Sequence, residues 1–258
     1  MIGGPPQDLA AWAPPGKPRR RPGRIVFWVL VGLSFCLVVA GVVLSGLTTR
    51  NYTDPSAAME KTIQPGDHMR VALGRDVRRG DIVVFHLLAT SAGPGGSAVK
   101  RLIGLPGDHV TCCNSSGQVT VDGKPIDETY LDPAGPPSRI TFSVTLRPGQ
   151  VWVMGDNRNV SLDSRGYGPV AASGIVGRVS AIGHVLPTTT IRTPTAFVAA
   201  GLAPPDQRPG PYVYVAPLIL VGVVALIVLA IVGIIRFVIR RSRARRNQPR
   251  GYAAYGSP

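Results

Sequence analysis

A chain of 258 residues, 45% apolar and only 16% charged, has room for one folded body and keeps part of its length out of water. Its net charge of +14 would suit nucleic acid, but the placement of that charge excludes such a partner. Five cations fall between Lys17 and Arg24 and seven follow Ile235, whereas the stretch 48–210 holds 16 Lys and Arg against 13 Asp and Glu.

In chain order, residues 1–24 are rich in Pro, Gly and Arg and are expected to form a disordered basic tail. Ile25–Leu47 follows with 23 residues and no charge. At a helical rise of about 1.5 Å per residue it reaches ~35 Å, enough for a hydrocarbon core of ~30 Å. A cleaved signal peptide has an apolar core of roughly 7 to 15 residues, so this run is too long for one. Residues 193–211 read as a Pro- and Gly-rich linker. The stretch 212–235 is the second expected span, with 20 uncharged residues from Ala216 to Ile235, and 236–258 is a second basic tail. Basic flanks stay in the cytoplasm, which puts both termini inside and residues 48–192 outside a cell membrane. Juxtamembrane arginines beside anionic lipid account for the charge without DNA.

The outer stretch 48–192 consists of short β-runs between Gly and Pro turns. "DIVVFHLL", "SAVKRLIGL", "RITFSVTL", "GQVWVMGD" and "GIVGRVSAIGHVL" are strand-length and rich in Val, Ile and aromatics, and "VTVDGKPI" carries an Asp-Gly hairpin signal. No run keeps a 3.6-residue period over three turns. The expected fold class is mainly β, a compact barrel or sheet flanked by two transmembrane helices.

Cys36 lies in the first apolar run, and Cys112 and Cys113 are adjacent on the oxidising side, open to a vicinal disulfide or two free thiols. His68, His86, His109 and His184 are scattered, without zinc spacing, so neither a metal nor another cofactor is expected.

Four stretches stand out: "SAAMEKTIQPGD" (56–67), "RRGDIVVF" (78–85), "VKRLIGLPGD" (99–108) and "MGDNRNVSLDSRGYG" (154–168). Each alone reads as a turn or a solvated strand edge. Lys100 is more informative. The chain uses Arg 24 times and Lys four times, and lysine is the cation that gives up its proton when buried. A neutral amine can serve as general base to a hydroxyl, as in Ser-Lys catalysis; a surface lysine with a buried stem is the plain alternative.

In this order, behind an N-terminal span, the four stretches resemble the boxes of type I signal peptidases, over about Pro55–Ser180. The resemblance implies a membrane-bound Ser-Lys endopeptidase that removes signal peptides from exported proteins on the outer face of the membrane. It places Lys100 on the general base, followed by Arg101. Ser161 falls on the serine that orients that lysine, Asp163 and Arg165 on a supporting acid-base pair, and Gly155 and Asp156 open the last box. The first box departs from the family pattern Pro-Ser-Gly-Ser-Met-x-Pro-Thr. It runs Pro55-Ser56-Ala57-Ala58-Met59-Glu60-Lys61-Thr62. Ser56 falls on an oxyanion-hole serine and Met59 and Thr62 match, but Ala58 occupies the nucleophile position and Lys61 replaces proline.

Three readings follow. A displaced nucleophile would be Ser56: in an extended segment its side chain shares a face with position 58, roughly 6.5 Å away, so the segment would have to bulge. Thr62 is four positions off. An inactive relative would bind exported or envelope proteins without cleaving, or pair with an active paralogue or the secretion machinery. A plain β-module outside the hydrolases would need none of Lys100, Ser161, Asp163 and Arg165. For an active enzyme the resemblance implies signal-peptide-bearing preproteins with small residues at −1 and −3, which alternate side chains of a bound strand would present to two shallow pockets. Met59, Ile82, Val84 and Ile103 are the candidate lining, and the backbone N–H at 58 with the Ser56 hydroxyl would face the oxyanion.

Overall fold

The computed structural model describes residues 22–87, 96–131, 135–183, 189–205 and 208–246. Most of the N-terminal tail, His184 and the last twelve residues of the C-terminal tail, 247–258, lie outside the described residues. The chain forms two units, one of residues up to Val38 together with those from Leu220, the other of 39–219.

Both apolar runs are helical: α1 is Pro22–Thr48 and α4 is Tyr212–Arg246. Within them Gly23–Thr48 and Val213–Arg243 are long and apolar enough to cross a bilayer. Large apolar side chains such as Trp28, Phe35, Leu220 and Ile234 stand exposed along them. In water such surface would be costly, whereas lipid solvates it, and the chain is a membrane protein.

The second unit is mainly β and entirely antiparallel. Its strands are β1 (Thr49–Thr53), β2 (His68–Leu73), β3 (Ile82–Leu87), β4 (Gly96–Gly104), β5 (His109–Cys112), β6 (Thr120–Val121), β7 (Lys124–Pro125), β8 (Phe142–Thr145), β9 (Gln150–Met154), β10 (Val170–Ala171), β11 (Ile175–Ile182) and β12 (Thr189–Thr190). One sheet runs β1-β2-β11-β3-β4-β9-β10, with β12 paired to β11; the other runs β7-β6-β5-β8. β4 is buried along Val99–Gly104, which explains its near-continuous apolar reading. The predicted Asp-Gly turn joins β6 and β7, with Asp122 and Gly123 both at positive φ. Cys112 and Cys113 are joined as a vicinal disulfide at the end of β5.

The core divides into three clusters. Met59, Ile63, Met69, Val71, Ile82, Val84, Val99 and Val179 form one. Val83, Phe85, Leu102, Val151 and Val153 form the second. Ile103, Val110, Val121, Leu146, Trp152 and Phe197 are in the third. Phe197 belongs to the stretch expected as a linker. That stretch instead carries a short helix, α3 (Thr195–Ala199), whose Ala196 and Phe197 are buried along with Leu202. The Pro and Gly content suggested a tether, but an apolar Phe-Val-Ala-Ala run gains more from burial than from solvation.

Candidate functional site

The site is built where three short segments meet at the middle of β4. The first is Asp54–Thr62. Asp54 accepts from the Ser56 N–H at 2.9 Å, and the chain then turns through a 3-10 segment, Ala57–Met59, capped by Ser56. Ser56 is exposed and its Oγ accepts from the Ala58 N–H at 3.5 Å. The expectation of an extended segment with Ser56 and residue 58 on one face is therefore corrected. The Asx turn at Asp54 coils the chain, and the Ser56 hydroxyl aims at the Ala58 amide. Ala58 is buried and its carbonyl accepts from the Asn157 N–H at 3.0 Å. Lys61 sits at φ +82°, which proline, fixed near −65°, does not adopt. The proline that the resemblance would place at this position could not follow this backbone.

The second segment is the middle of β4. Lys100 pairs with Val83 in register and is 6% exposed. Its Nζ donates to the Val99 carbonyl at 3.0 Å and makes no ion pair among the described residues. Burial pushes the amine below the ordinary lysine range, and Asp54 and Asp163 oppose this only in part. The unfolded chain then holds an extra proton between the folded and the ordinary lysine values. Stability must rise as pH climbs through that window, and the penalty is in full force below it. Lys100→Met, which keeps the stem without the charge, should melt higher than the native protein near neutral pH and lose this slope. Thermal unfolding from neutral to alkaline pH checks it.

Arg101, the next residue, projects to the opposite side of the strand. It is 1% exposed, donates from Nε to Asp156 Oδ1 at 2.8 Å and from Nη1 to the Gly80 carbonyl at 2.8 Å, and lies 4.0 Å over the Tyr130 ring. Thr62 donates its hydroxyl to Asp156 and is in reach of Arg101. The second hydroxyl near the empty position is thus committed to this network.

The third segment, Gly155–Tyr167, follows β9. Asp163 caps the short helix α2 (Ser164–Tyr167), accepts from the Gly155 N–H at 2.9 Å and pairs with Arg165 Nε at 2.8 Å. Burial raises its carboxyl, but the Arg165 hydrogen bond and charge, with the Gly155 N–H, outweigh this and hold it below the usual carboxylate range. Ser161 Oγ is buried and has no hydrogen-bond partner among the described residues, so the expected hydrogen bond that would orient Lys100 is not made here: the amine turns to the carbonyl of its neighbour Val99 instead. Gly155 lets the segments close on one another: a Cβ there would run into the Ser161 side chain and the Ala58 carbonyl. Gly155→Ala should therefore force Ala58 and Ser161 apart and lower the melting temperature by several degrees, readable by calorimetry.

Of the expected site residues, Ala58, Gly155 and Ser161 converge, and Asp156 joins Arg101 to Thr62. Met59, Ile82 and Val84 share a fully buried cluster, while Ile103 lies in a different one. None of these four lines the cavity of about 280 Å³ beside the first box, which is bordered by Glu60, Lys61, Gln64, Asn157, Arg158 and Asn159. Sequence reasoning missed a buried brace behind the site. Arg158 donates to the Gly155 carbonyl at 2.9 Å, to Glu128 and to the Pro137 carbonyl, and Tyr130 donates to Glu128 at 2.6 Å. Arg158 stood inside a quoted box, but nothing in the sequence pointed to Glu128, thirty positions away.

A family model described as signal peptidase, peptidase S26, matches residues 25–183. The chain belongs to this signal peptidase family. It is 39% identical over 130 residues to a probable signal peptidase I-2 of Synechocystis, 38% over 145 to a signal peptidase I of Bacillus caldolyticus and 32% over 176 to a signal peptidase IB of Staphylococcus aureus. These matches cover 48%, 50% and 60% of this chain, and 58%, 76% and 87% of the relatives' lengths. A solved signal peptidase I from Enterococcus faecalis is 28% identical, with a TM-score of 0.34 over 40% of this chain and 97% of that one. Membership of the S26 signal peptidases makes this chain a relative of serine-peptidase hydrolases, and the reading as a β-module unrelated to that family is overturned.

Proposed function

We propose that this S26 chain is a membrane-bound signal peptidase I-type serine endopeptidase that removes N-terminal signal peptides from exported proteins, accepting small residues at −1 and −3. The observation that carries the reading is Lys100, an amine buried with no ion pair among the described residues, on the strand that packs against the 3-10 turn Ala57–Met59. Desolvation is what a general base of this type requires, and a purely structural lysine gains nothing from it. Lys100 takes the proton of an attacking hydroxyl and later activates water, the buried Ser161 hydroxyl orients it by turning to the amine in the working state, and Asp163 with Arg165 holds the segment that carries Ser161. Both termini lie in the cytoplasm, and the β unit meets preproteins outside, at the lipid surface. With Ala at 58, the attacking hydroxyl is that of Ser56, reached by unwinding the 3-10 turn.

A second reading has its own support. Ser56 Oγ faces the Ala58 amide and Thr62 is bonded to Asp156, so no hydroxyl of the first box is hydrogen-bonded to Lys100. On this reading the chain binds signal-peptide-bearing proteins without cutting them, alone or beside an active paralogue or the secretion machinery. Cleavage of a presequence by the purified full-length protein separates the two. Activity in the native chain that disappears in both Ser56→Ala and Lys100→Ala supports the peptidase; binding without product supports the second reading.

A further inference from the structure

We propose that Arg208 and Asp81 form a clamp that positions Lys100 and Arg101 at the centre of β4, so that the segment beyond β11, outside the family-matched residues, is a working part of the site.

The clamp acts through the turn 78–81, which closes the β3–β4 ladder. Gly80 N–H donates to the Leu102 carbonyl at 2.7 Å, Leu102 N–H donates to the Asp81 carbonyl at 2.8 Å, and Arg101 Nη1 donates to the Gly80 carbonyl at 2.8 Å. β3 starts at the next residue, Ile82, opposite Arg101, with Val83 opposite Lys100. Asp81 therefore holds the end of this ladder two residues before Val83, the partner of the lysine.

The Asp81 carboxylate is 4% exposed, and most of what fixes it comes from the far segment. Arg208 Nη2 reaches both of its oxygens at 2.9 Å, and Thr193 Oγ1 donates to Oδ1 at 2.8 Å. The Arg78 N–H supplies the local bond at 2.8 Å. Arg208 is itself held, donating to the Asp76 carbonyl at 3.0 Å, while its own carbonyl accepts from Arg178 at 3.2 Å. Phe197 and Thr193 lie against the bare α-carbon of Gly80, where a Cβ would come within 2.7 Å of each. Gly80 has φ +89°, so turn shape and close approach both call for glycine there. A buried carboxylate stripped of its guanidinium partner must find water or a new partner, and water in the place of Arg208 would not tie the turn to the far segment as the guanidinium does.

The proposal rests on Lys100 being the base of the proposed function, but its test reads Lys100 and not cleavage, so the two can fail separately. The chain has four lysines, Lys17, Lys61, Lys100 and Lys124. Pulse acylation of the full-length protein with acetic anhydride across a pH series, read by peptide mass spectrometry, gives each a titration midpoint, with Lys61 and Lys124 as internal references. The charges facing Lys100 are Asp54 and Asp163, and neither is altered by the variants. In Arg208→Ala the Lys100 midpoint is expected to rise by about half a unit or more toward the ordinary lysine value as water enters. Arg208→Lys, which keeps a cation at Asp81, should recover much of that shift. Ile126→Ala, in the third core cluster and not against the turn, should lower the melting temperature and leave the midpoint in place. If the alanine variant fails to fold, Arg208→Gln, which keeps most of the side chain's bulk, gives the same reading. An unchanged midpoint in folded Arg208→Ala or Arg208→Gln, or an equal shift in Ile126→Ala, overturns the clamp.

Discussion

Serine at position 58 is expected to raise presequence cleavage above what Ser56 supports from its turn, by as much as about three orders of magnitude where the native chain does not cut, the scale on which removal of a catalytic nucleophile acts in reverse. The expectation follows from how firmly that position is already held. Residue 58 is buried, its N–H is capped by Ser56 and its carbonyl is fixed by Asn157. The hydroxyl of Ala58→Ser would therefore hang from a backbone that does not need to move. Ser161 Oγ, buried and unpartnered among the described residues, is free to bond a new hydroxyl, and Lys100 offers a buried amine. Cleavage of a presequence in detergent or liposomes, with Ala58→Ser/Lys100→Met as the control, measures the gain. A gain that the double variant abolishes establishes that the site lacks only this oxygen. No gain, together with native activity that Ser56→Ala abolishes, would show instead that the first box has moved to a different nucleophile.

How much of this was legible beforehand depends on which force set each feature. The β unit could be read because its strands alternate or run apolar between turns, a signal that burial writes directly into the sequence. The two spans could be read because lipid demands length and an absence of charge. Lys100 stood out because the chain otherwise prefers arginine. What could not be read were contacts fixed by coil geometry and by long sequence separation. The 3-10 turn that points Ser56 at an amide depends on the Asx turn at Asp54. The partners of buried arginines were likewise hidden: Arg158 with Glu128, and Arg208 with Asp81 across 127 positions. Charged residues carry no periodic signal, and any of the chain's carboxylates could have served. The burial of Phe197 was masked by the Pro and Gly around it, which describe the local backbone and not where it docks.

Asp156→Asn tests the network that holds the site's three segments together, and it should cost about 3 kcal/mol or more of stability, the usual result of removing one partner from a buried ion pair. Arg101 and Asp156 are both almost fully enclosed, at 2% and 0% side-chain exposure, so the guanidinium left behind would have no water to turn to. Near the melting point that loss corresponds to a fall of roughly 6–12 °C for a domain of this size, measurable by calorimetry. Asp76→Asn is the matched control. Its carboxylate lies 3.9 Å from Arg208 but is 83% exposed, and solvent screening makes such a pair nearly worthless, so no measurable shift is expected. The contrast also bears on the site. Asp156 accepts the Thr62 hydroxyl from the first segment and the Arg101 guanidinium from the second, while itself belonging to the third. Weakening it should loosen the first segment against the other two, and an Ala58→Ser/Asp156→Asn chain held below its melting point should cleave more slowly than Ala58→Ser alone. Equal cleavage by the two would confine Asp156 to stability and leave the alignment of position 58 with Lys100 to Gly155 and the Asn157 amide.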